Sequence, residues 1–348
     1  MARPLRFAVI GAGAIGHNHL EEIRRHPRAD LIAIADSNRS RLVEAADKFR
    51  APVALTDFHE VLSRADVDAV SIALPTYLHA PVALAALKAG KHVHLDKPFA
   101  MNARQAAGII AAAKKYRRVL MVGQNQRFSR DAQVLKRFVE RGALGEIYHA
   151  RAWWLRRSGI PRIGSWFTQK KYAGGGVLLD IGVHMLDLTL HLMNNFEPVS
   201  VSGMVHARLG PRGLGGGTWG RSEIDKGAKF DVDDFTAALI RLKGGQSLLL
   251  EVTWAAHVVE PSHGVQLYGT DGGGSLYPAR VCRRTDAGYE VLMPELKRLP
   301  YPEDRLHHFV DCVLDGHKPM VAPAESLAVQ KILDGIYRSA RLGREVRF

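Results

Sequence analysis

The sequence predicts two domains: an α/β domain on a doubly wound parallel sheet, then an α+β domain with an open, mostly antiparallel sheet. Three observations carry this. Residues 1–124 alternate short continuous apolar runs with helical patterns, as strands joined by helical crossovers do. The first apolar run ends in a glycine turn, Gly11, Gly13 and Gly16, that opens directly into a helical pattern. After Gly123 the runs lengthen and are separated by Gly and Pro, the signature of hairpins. At 348 residues the chain also exceeds what one core usually supports. The expected domains are 1–124 and 125–348.

In chain order, "LRFAVI" reads as a strand and Ala14 to Arg25 as a helix. "ADLIAIAD" is the second strand, followed by a helix from Ser40 to Phe49. A weak strand at Val53 and a short helix from Asp57 to Leu62 come next. "DAVSIAL" leads into a helix from Leu78 to Lys88, and "HVHL" into an alanine-rich helix from Asn102 to Tyr116, with Asn102 as its cap. "VLMVG" closes the series. The second half begins with a helix from Asp131 to Arg141 and the extended run "GEIYHARAWWLRR". Three glycines, Gly174 to Gly176, precede an amphipathic helix from Val177 to Met193. Strands follow in "VSVSGMVHA", "DDFTAALIRL", "QSLLLEVTWA", "GVQLYG" and "GSLYPARVCRR". Helices return at Glu303 to Leu314 and Ala324 to Leu342. The glycine-rich stretch 210–220 is expected to be a mobile loop, serving as a lid or an oligomer contact.

Apolar residues make up 47% of the chain and charged ones 24%, ordinary for a globular protein. No apolar run reads as long enough to span a bilayer, and no signal peptide is expected before the first strand. Two cysteines, Cys282 and Cys312, form neither a disulfide framework nor a metal-ligand cluster. A cytoplasmic protein is expected. The formal charge of +13 is scattered in pairs such as Arg24-Arg25 and Arg117-Arg118 rather than gathered in a block. Nucleic acid and membrane are therefore not expected partners, and a small anionic ligand is.

The glycine turn has the G-x-G-x-x-G spacing. The first glycine permits the tight turn, the second lets the backbone approach a pyrophosphate, and the third lets helix and strand pack closely. The helix N-terminus adds free N–H groups and the positive end of its dipole. Asp36 ends the second strand, twenty residues past Gly16, where a carboxylate accepts from ribose hydroxyls and repels a 2′-phosphate. NAD is therefore the expected cofactor. NADP is the alternative, since Arg39 or Arg41 could reach a phosphate.

Two further constellations point to chemistry. Asp96-Lys97-Pro98 ends the strand "HVHL", and ligands gather beyond strand carboxyl ends in such sheets. Pro98 biases Lys97 toward extended backbone and permits a cis bond. A lysine there would lie near a nicotinamide, with Asp96 orienting it or touching the ribose; alone, a strand-end lysine is more often a solvated charge. In "GGGVLLDIGVHMLDL", Asp180 and His184 stand four apart on one helix face, with Asp187 near the same stripe. An imidazole oriented by a carboxylate suits removal of an alcohol proton near neutral pH. The pair also fits a packing role. No H-x-x-x-H motif is present, and no metal is expected.

Taken together, "GAGAIGHNHL", "ALPTYLHAPVALAALKAGKHVHLDKP", "GQNQRF" and "GGGVLLDIGVHMLDL" resemble the Gfo/Idh/MocA oxidoreductases, over nearly the whole chain and in the right order. The family usually has Glu-Lys-Pro where this chain has Asp96-Lys97-Pro98, and often Asn where it has Thr76. The resemblance implies a catalytic set of Lys97, Asp180 and His184. It implies a cofactor site along Gly11, Gly13, Ala14, Ile15, Gly16, Asp36, Arg41, Leu74, Pro75, Thr76, His79, Asp96, Lys97 and Gln126. It places Arg127, Trp154, Arg156 and Trp166 beside Lys97, Asp180 and His184 as substrate residues. It also implies dimers or tetramers built through the back of the second sheet.

The expected activity is hydride transfer between the nicotinamide and a hydroxyl of a sugar, sugar derivative or inositol. His184, oriented by Asp180, takes the hydroxyl proton while Lys97 hydrogen-bonds the oxygen. The runner-up is an NAD-dependent, redox-assisted glycoside hydrolase. A dinucleotide-dependent sensor or binding protein is the reading from another class; it should lack the lysine or the histidine, and both are present.

Overall fold

The computed structural model describes residues 3–348, in two compact units. The sheet of the first unit contains β1 (Leu5–Ile10), β2 (Ala29–Ala35), β3 (Val53–Leu55), β4 (Ala69–Ile72), β5 (His92–Leu95) and β6 (Leu120–Val122). Their order is β3-β2-β1-β4-β5-β6, and every neighbouring pair is parallel. Strand order reverses beside β1, so the loops after β1 and β4 flank a crevice at the carboxyl ends. The strands are continuous apolar runs because helices cover both faces; Phe7, Val9, Val70, Ile72, Val93 and Leu95 are fully buried.

The helices are α1 (Ala14–Arg25), α2 (Arg39–Phe49), α3 (Phe58–Ser63), α4 (His79–Lys88) and α5 (Ala103–Lys115). Asn38, Asp57 and Asn102 cap α2, α3 and α5 by accepting from backbone N–H groups. The cap position of α1 is Gly13, which has no side chain to occupy the first N–H groups.

The second unit holds α6 (Arg130–Glu140), α7 (Lys170–Ala173) and α8 (Val183–Met193). Its main sheet is formed by β7 (Ile147–Leu155), β9 (Pro198–His206), β11 (Phe235–Leu242), β12 (Ser247–Thr253), β13 (Ser262–Gly269), β14 (Gly272–Leu276), β15 (Arg280–Thr285), β16 (Gly288–Leu292) and β17 (Val346–Arg347). The order is β16-β15-β14-β13-β7-β12-β11-β9-β17, antiparallel throughout except for β7 beside β12. Ala150, Ala152, Leu248, Leu250, Val265 and Leu267 face the core helices and are fully buried. The last helices are α9 (Arg305–Leu314) and α10 (Pro323–Leu342).

Several expectations meet a different structure. Residues 304–327 pack with the first unit, which a division at residue 124 does not anticipate. Phe309 meets Phe7, and Arg28 pairs with Asp311 and Asp315. "GSLYPARVCRR" is two strands, parted at Tyr277, which is flanked by cis bonds to Leu276 and Pro278. The 210–220 stretch is anchored rather than loose. Its β10 (Gly216–Gly217) pairs with β8 (Ile160–Pro161), and a Cβ on Gly215 would sit 2.3 Å from Ala255. The helical region Lys170–Met193 is, contrary to the reading of the sequence, long and apolar enough to cross a membrane. Of its most apolar 18-residue stretch 94% is buried within the protein, where the apolar residues form core.

Candidate active site

The glycine turn after β1 does what its spacing requires. Gly11 has φ +102°, and a Cβ there would lie 2.3 Å from the Ala73 carbonyl oxygen. A Cβ on Gly16 would lie 1.9 Å from the Gly11 oxygen, so only glycine lets α1 approach the turn. Gly13 has nothing within 4 Å of its Cβ position, leaving open space in front of the backbone. Ala14 and Ile15 begin α1 there, half-buried. This cradle fits a dinucleotide pyrophosphate.

Asp36 is buried and braces the turn. Oδ2 accepts from Ala12 N and Oδ1 from Asn38 N, both at 2.8 Å. Arg41 Nη2 donates to Oδ1 at 3.0 Å, which directs its guanidinium at the carboxylate. Arg39 is exposed.

Leu74, Pro75 and Thr76 form the loop after β4, with Thr76 buried. His79 is 1% exposed; Nε2 lies 2.9 Å from the Leu74 oxygen and Nδ1 2.8 Å from the Pro98 oxygen. It staples the loop after β4 to the loop after β5. Burial holds its pKa below the usual histidine value, with the Asp96 charge opposing. Lys97 follows β5, half-buried, joined to Pro98 by a cis bond. Asp96 is buried, with Arg305 Nη1 3.8 Å from its Oδ1.

In the second unit the triple glycine is a close-packed turn. A Cβ on Gly175 would meet Tyr337 Oη at 2.0 Å, and one on Gly176 the Asp233 oxygen at 1.9 Å. Asp233 accepts from Gly176 N at 2.8 Å, Leu178 N at 3.0 Å, Thr236 Oγ1 at 3.0 Å and Tyr337 Oη at 2.7 Å. The continuous α-helix expected from Val177 is instead a π-helical turn, Leu178–Gly182, running into α8. Such a turn changes which way its side chains face, and π turns are common at functional sites. Asp180 sits within it and accepts from Trp254 Nε1 at 2.9 Å. Asp180 and His184 are each 9% exposed.

An aromatic wall adjoins the histidine. Trp154 lies 6.4 Å from the His184 ring and stacks on His263 at 5.3 Å; Tyr277 lies 5.0 Å beyond. The Arg156 guanidinium covers Trp154 at 4.6 Å. Burial lowers its pKa, and the Asp180 charge opposes that shift. Gln126 accepts from Tyr277 Oη at 2.8 Å. Trp166 lies in another aromatic group, stacked on Phe167 at 3.8 Å.

Arg127 departs from the expectation of a substrate residue. It is fully buried, and Nε and Nη2 hold the two Asp187 oxygens at 2.7 and 2.6 Å. Asp187 thereby joins an internal ion pair. Asp233, Trp254, His263 and Tyr277 were not among the sequence candidates, because single residues on strands or strand ends have no distinguishing spacing. Among the described residues, no group of three or more His, Cys, Asp or Glu is placed to hold a metal.

Comparison with known proteins decides the relationship. The model described as "Oxidoreductase family, NAD-binding Rossmann fold" matches residues 5–124, and the "GFO/IDH/MocA C-terminal domain" matches residues 132–274. The chain belongs to the Gfo/Idh/MocA family of oxidoreductases. D-glucoside 3-dehydrogenase from Escherichia coli is 33% identical over 353 residues, covering 99% of this chain and 97% of that protein. Levoglucosan dehydrogenase from Pseudarthrobacter phenanthrenivorans is 33% identical over 282 residues, 77% of this chain and 72% of that one. A levoglucosan dehydrogenase structure, in complex with NADH and levoglucosan, superposes with a TM-score of 0.86 at 25% identity, covering 99% of both chains. This Gfo/Idh/MocA protein is an NAD-dependent oxidoreductase, and its first unit is the dinucleotide-binding domain.

Proposed function

We propose that this protein oxidises a secondary hydroxyl of a sugar, sugar derivative or polyol, with Lys97, Asp180 and His184 as the catalytic set. The observation that carries the proposal is the Asp180 carboxylate, fixed by Trp254 in the π turn that leads into His184, beside a wall of Trp154. Bound NAD supplies the hydride acceptor. Asp180 orients the imidazole, His184 takes the hydroxyl proton, and Lys97 donates a hydrogen bond to the same oxygen as charge develops on it. The flat face of Trp154 suits the apolar C–H face of a sugar ring. Arg156, drawn over that ring, supplies N–H donors to neighbouring hydroxyls. Two relatives bear names of dehydrogenases acting on sugars, D-glucoside and levoglucosan, in keeping with this class.

The test is a screen of aldoses, glycosides and inositols with NAD, reading reduced nicotinamide optically. Lys97→Met and His184→Asn should each lose at least about a hundredfold in kcat while keeping NAD affinity. Wild-type turnover in either variant would reject the assignment.

A homo-oligomer through the back of the second sheet is part of the same proposal. Leu249, Met204 and Tyr268 stand exposed on the sheet face opposite the core helices. Light scattering during size exclusion reads the assembly directly. Cys282 and Cys312 are both free thiols, in keeping with a cytoplasmic enzyme.

A further inference from the structure

Next to Lys97, the first unit contains a buried polar cluster that the proposed chemistry does not use. His19 on α1, Ser71 on β4 and His94 on β5 are all fully buried. Ser71 Oγ lies 2.9 Å from His19 Nδ1 and 3.0 Å from His94 Nδ1. A hydroxyl has one proton to donate, so one Nδ1 accepts from Ser71 and the other donates to it. Burial holds both imidazoles neutral. The two rings must therefore be opposite tautomers, and their Nε2 atoms are one donor and one acceptor.

Four buried atoms of the cluster have no hydrogen-bond partner among the described residues: His19 Nε2, His94 Nε2, Asp96 Oδ1 and Arg305 Nε. The first three share a small space. His19 Nε2 is 3.8 Å from Asp96 Oδ1, too far for a direct bond. His94 Nε2 and Asp96 Oδ1 each lie 3.2 Å from the point a Gly123 Cβ would occupy. Arg305 borders it through Nη1, 3.2 Å from the Gly123 oxygen, while its Nη2 edge faces Glu22. Whichever way Ser71 points, the three atoms on His19, His94 and Asp96 amount to one donor and two acceptors. A single water, accepting once and donating twice, complements them, and buried polar atoms of this kind are normally satisfied by one.

We propose that one internal water is bound here, accepting from one of these three groups and donating to the other two, and that it fixes the Asp96 carboxylate beside Lys97. The carboxylate selects the polarity. A bare Nε2 lone pair facing Asp96 would be repelled, so His19 carries its proton on Nε2 and His94 on Nδ1. The chain then runs from His94 Nδ1–H to Ser71, from Ser71 O–H to His19 Nδ1, and from His19 Nε2–H through the water to Asp96. His19, Ser71 and His94 are positioning residues. Their effect on turnover rests on the role proposed for Lys97, whereas the water and the tautomers do not.

The test has three readouts on the full NAD-bound protein. A crystal structure at about 1.2 Å should show one water within hydrogen-bond distance of His19 Nε2, His94 Nε2 and Asp96 Oδ1; no density there, or direct bonds among the three, overturns the site. Nitrogen NMR of labelled histidines should find His19 protonated at Nε2 and His94 at Nδ1, and identical tautomers overturn the chain. Ser71→Ala should scramble these tautomers and lower kcat about tenfold with the NAD KM unchanged. Unchanged kcat, with the water and tautomers as described, overturns the positioning role. A wild-type enzyme that oxidises no carbohydrate would instead reject the function, leaving the first two readouts valid.

Discussion

Trp254 donates its indole N–H to Asp180 at 2.9 Å, and the indole is fully buried. The bond fixes one carboxylate oxygen of the acid that precedes His184 by one turn. Trp254→Phe keeps most of the ring and removes the donor, taking the indole hydrogen bond from Asp180 Oδ2 in a buried site. The expected stability loss is about 1–3 kcal/mol, the cost of one lost buried hydrogen bond. Turnover should fall about tenfold or more while NAD affinity holds. Steady-state kinetics, NAD titration and thermal unfolding together check this. Unchanged kcat would show that the acid does not need the indole.

Asp36 braces the glycine turn and holds Arg41 with the same carboxylate, accepting from Ala12 N and from the guanidinium; its proposed role in cofactor choice follows from that position. Asp36→Ser frees the Arg41 guanidinium to meet a 2′-phosphate and removes the repelling charge. The ratio of kcat/KM for NADP over NAD should rise at least about tenfold, equivalent to about 1.4 kcal/mol. The KM for NAD should rise as well, since the turn loses a brace. An unaltered ratio would mean that discrimination lies elsewhere.

The first unit was legible in the sequence for physical reasons. Continuous apolar strands, caps such as Asn102, and glycines that alone fit a tight crossing are local signals, and Gly11, Gly16 and Asp36 stand where those signals put them. The second unit was legible as strands and helices but not as partnerships. The π turn at Leu178–Gly182 leaves the same apolar pattern as an α-helix. The Trp254–Asp180 bond joins residues 74 positions apart. Arg127 was placed beside the substrate by family resemblance alone, whereas its partner Asp187 arrives from another helix, 60 positions on. The return of residues 304–327 to the first unit depends on pairs such as Arg28 with Asp315, which no local pattern announces.

The buried Arg127–Asp187 pair makes a contrast between single and double substitutions. Both side chains are almost fully buried, so removing one takes the paired charge away from the other. Asp187→Ala should destabilise the protein by about 3–5 kcal/mol. Replacing both, Arg127→Met with Asp187→Leu, removes the two desolvation costs together and should recover most of that loss. Urea unfolding of the three variants decides the matter, and equal stability of single and double variants would show that the charges do not interact as a pair.

Histidine burial makes an acid-side loss of stability the expected behaviour. His92 Nδ1 accepts from Val119 N at 3.0 Å, a bond available only to an unprotonated nitrogen. Burial, with the Arg118 charge adding to it and Asp68 opposing, lowers its pKa to about 4 from an ordinary 6.5. His19, His94 and His191 are lowered in the same direction, by burial first and then by nearby cations. The unfolded chain therefore binds these protons at a higher pH than the folded one. Their contribution is complete above pH 6.5 and is lost as pH falls below it, at up to about 1.4 kcal/mol per pH unit for each histidine. For His92 the loss continues until the folded form is itself protonated near pH 4. Most carboxylates remain ionised above about pH 5, so the window from there to pH 6.5 isolates the histidines. Urea midpoints should be flat from pH 8 to 7 and fall steadily below 6.5. His92→Asn, which keeps an acceptor for Val119 without a titrating ring, should make the fall shallower. A midpoint independent of pH across that window would mean that the imidazoles take up protons without unfolding the structure around them.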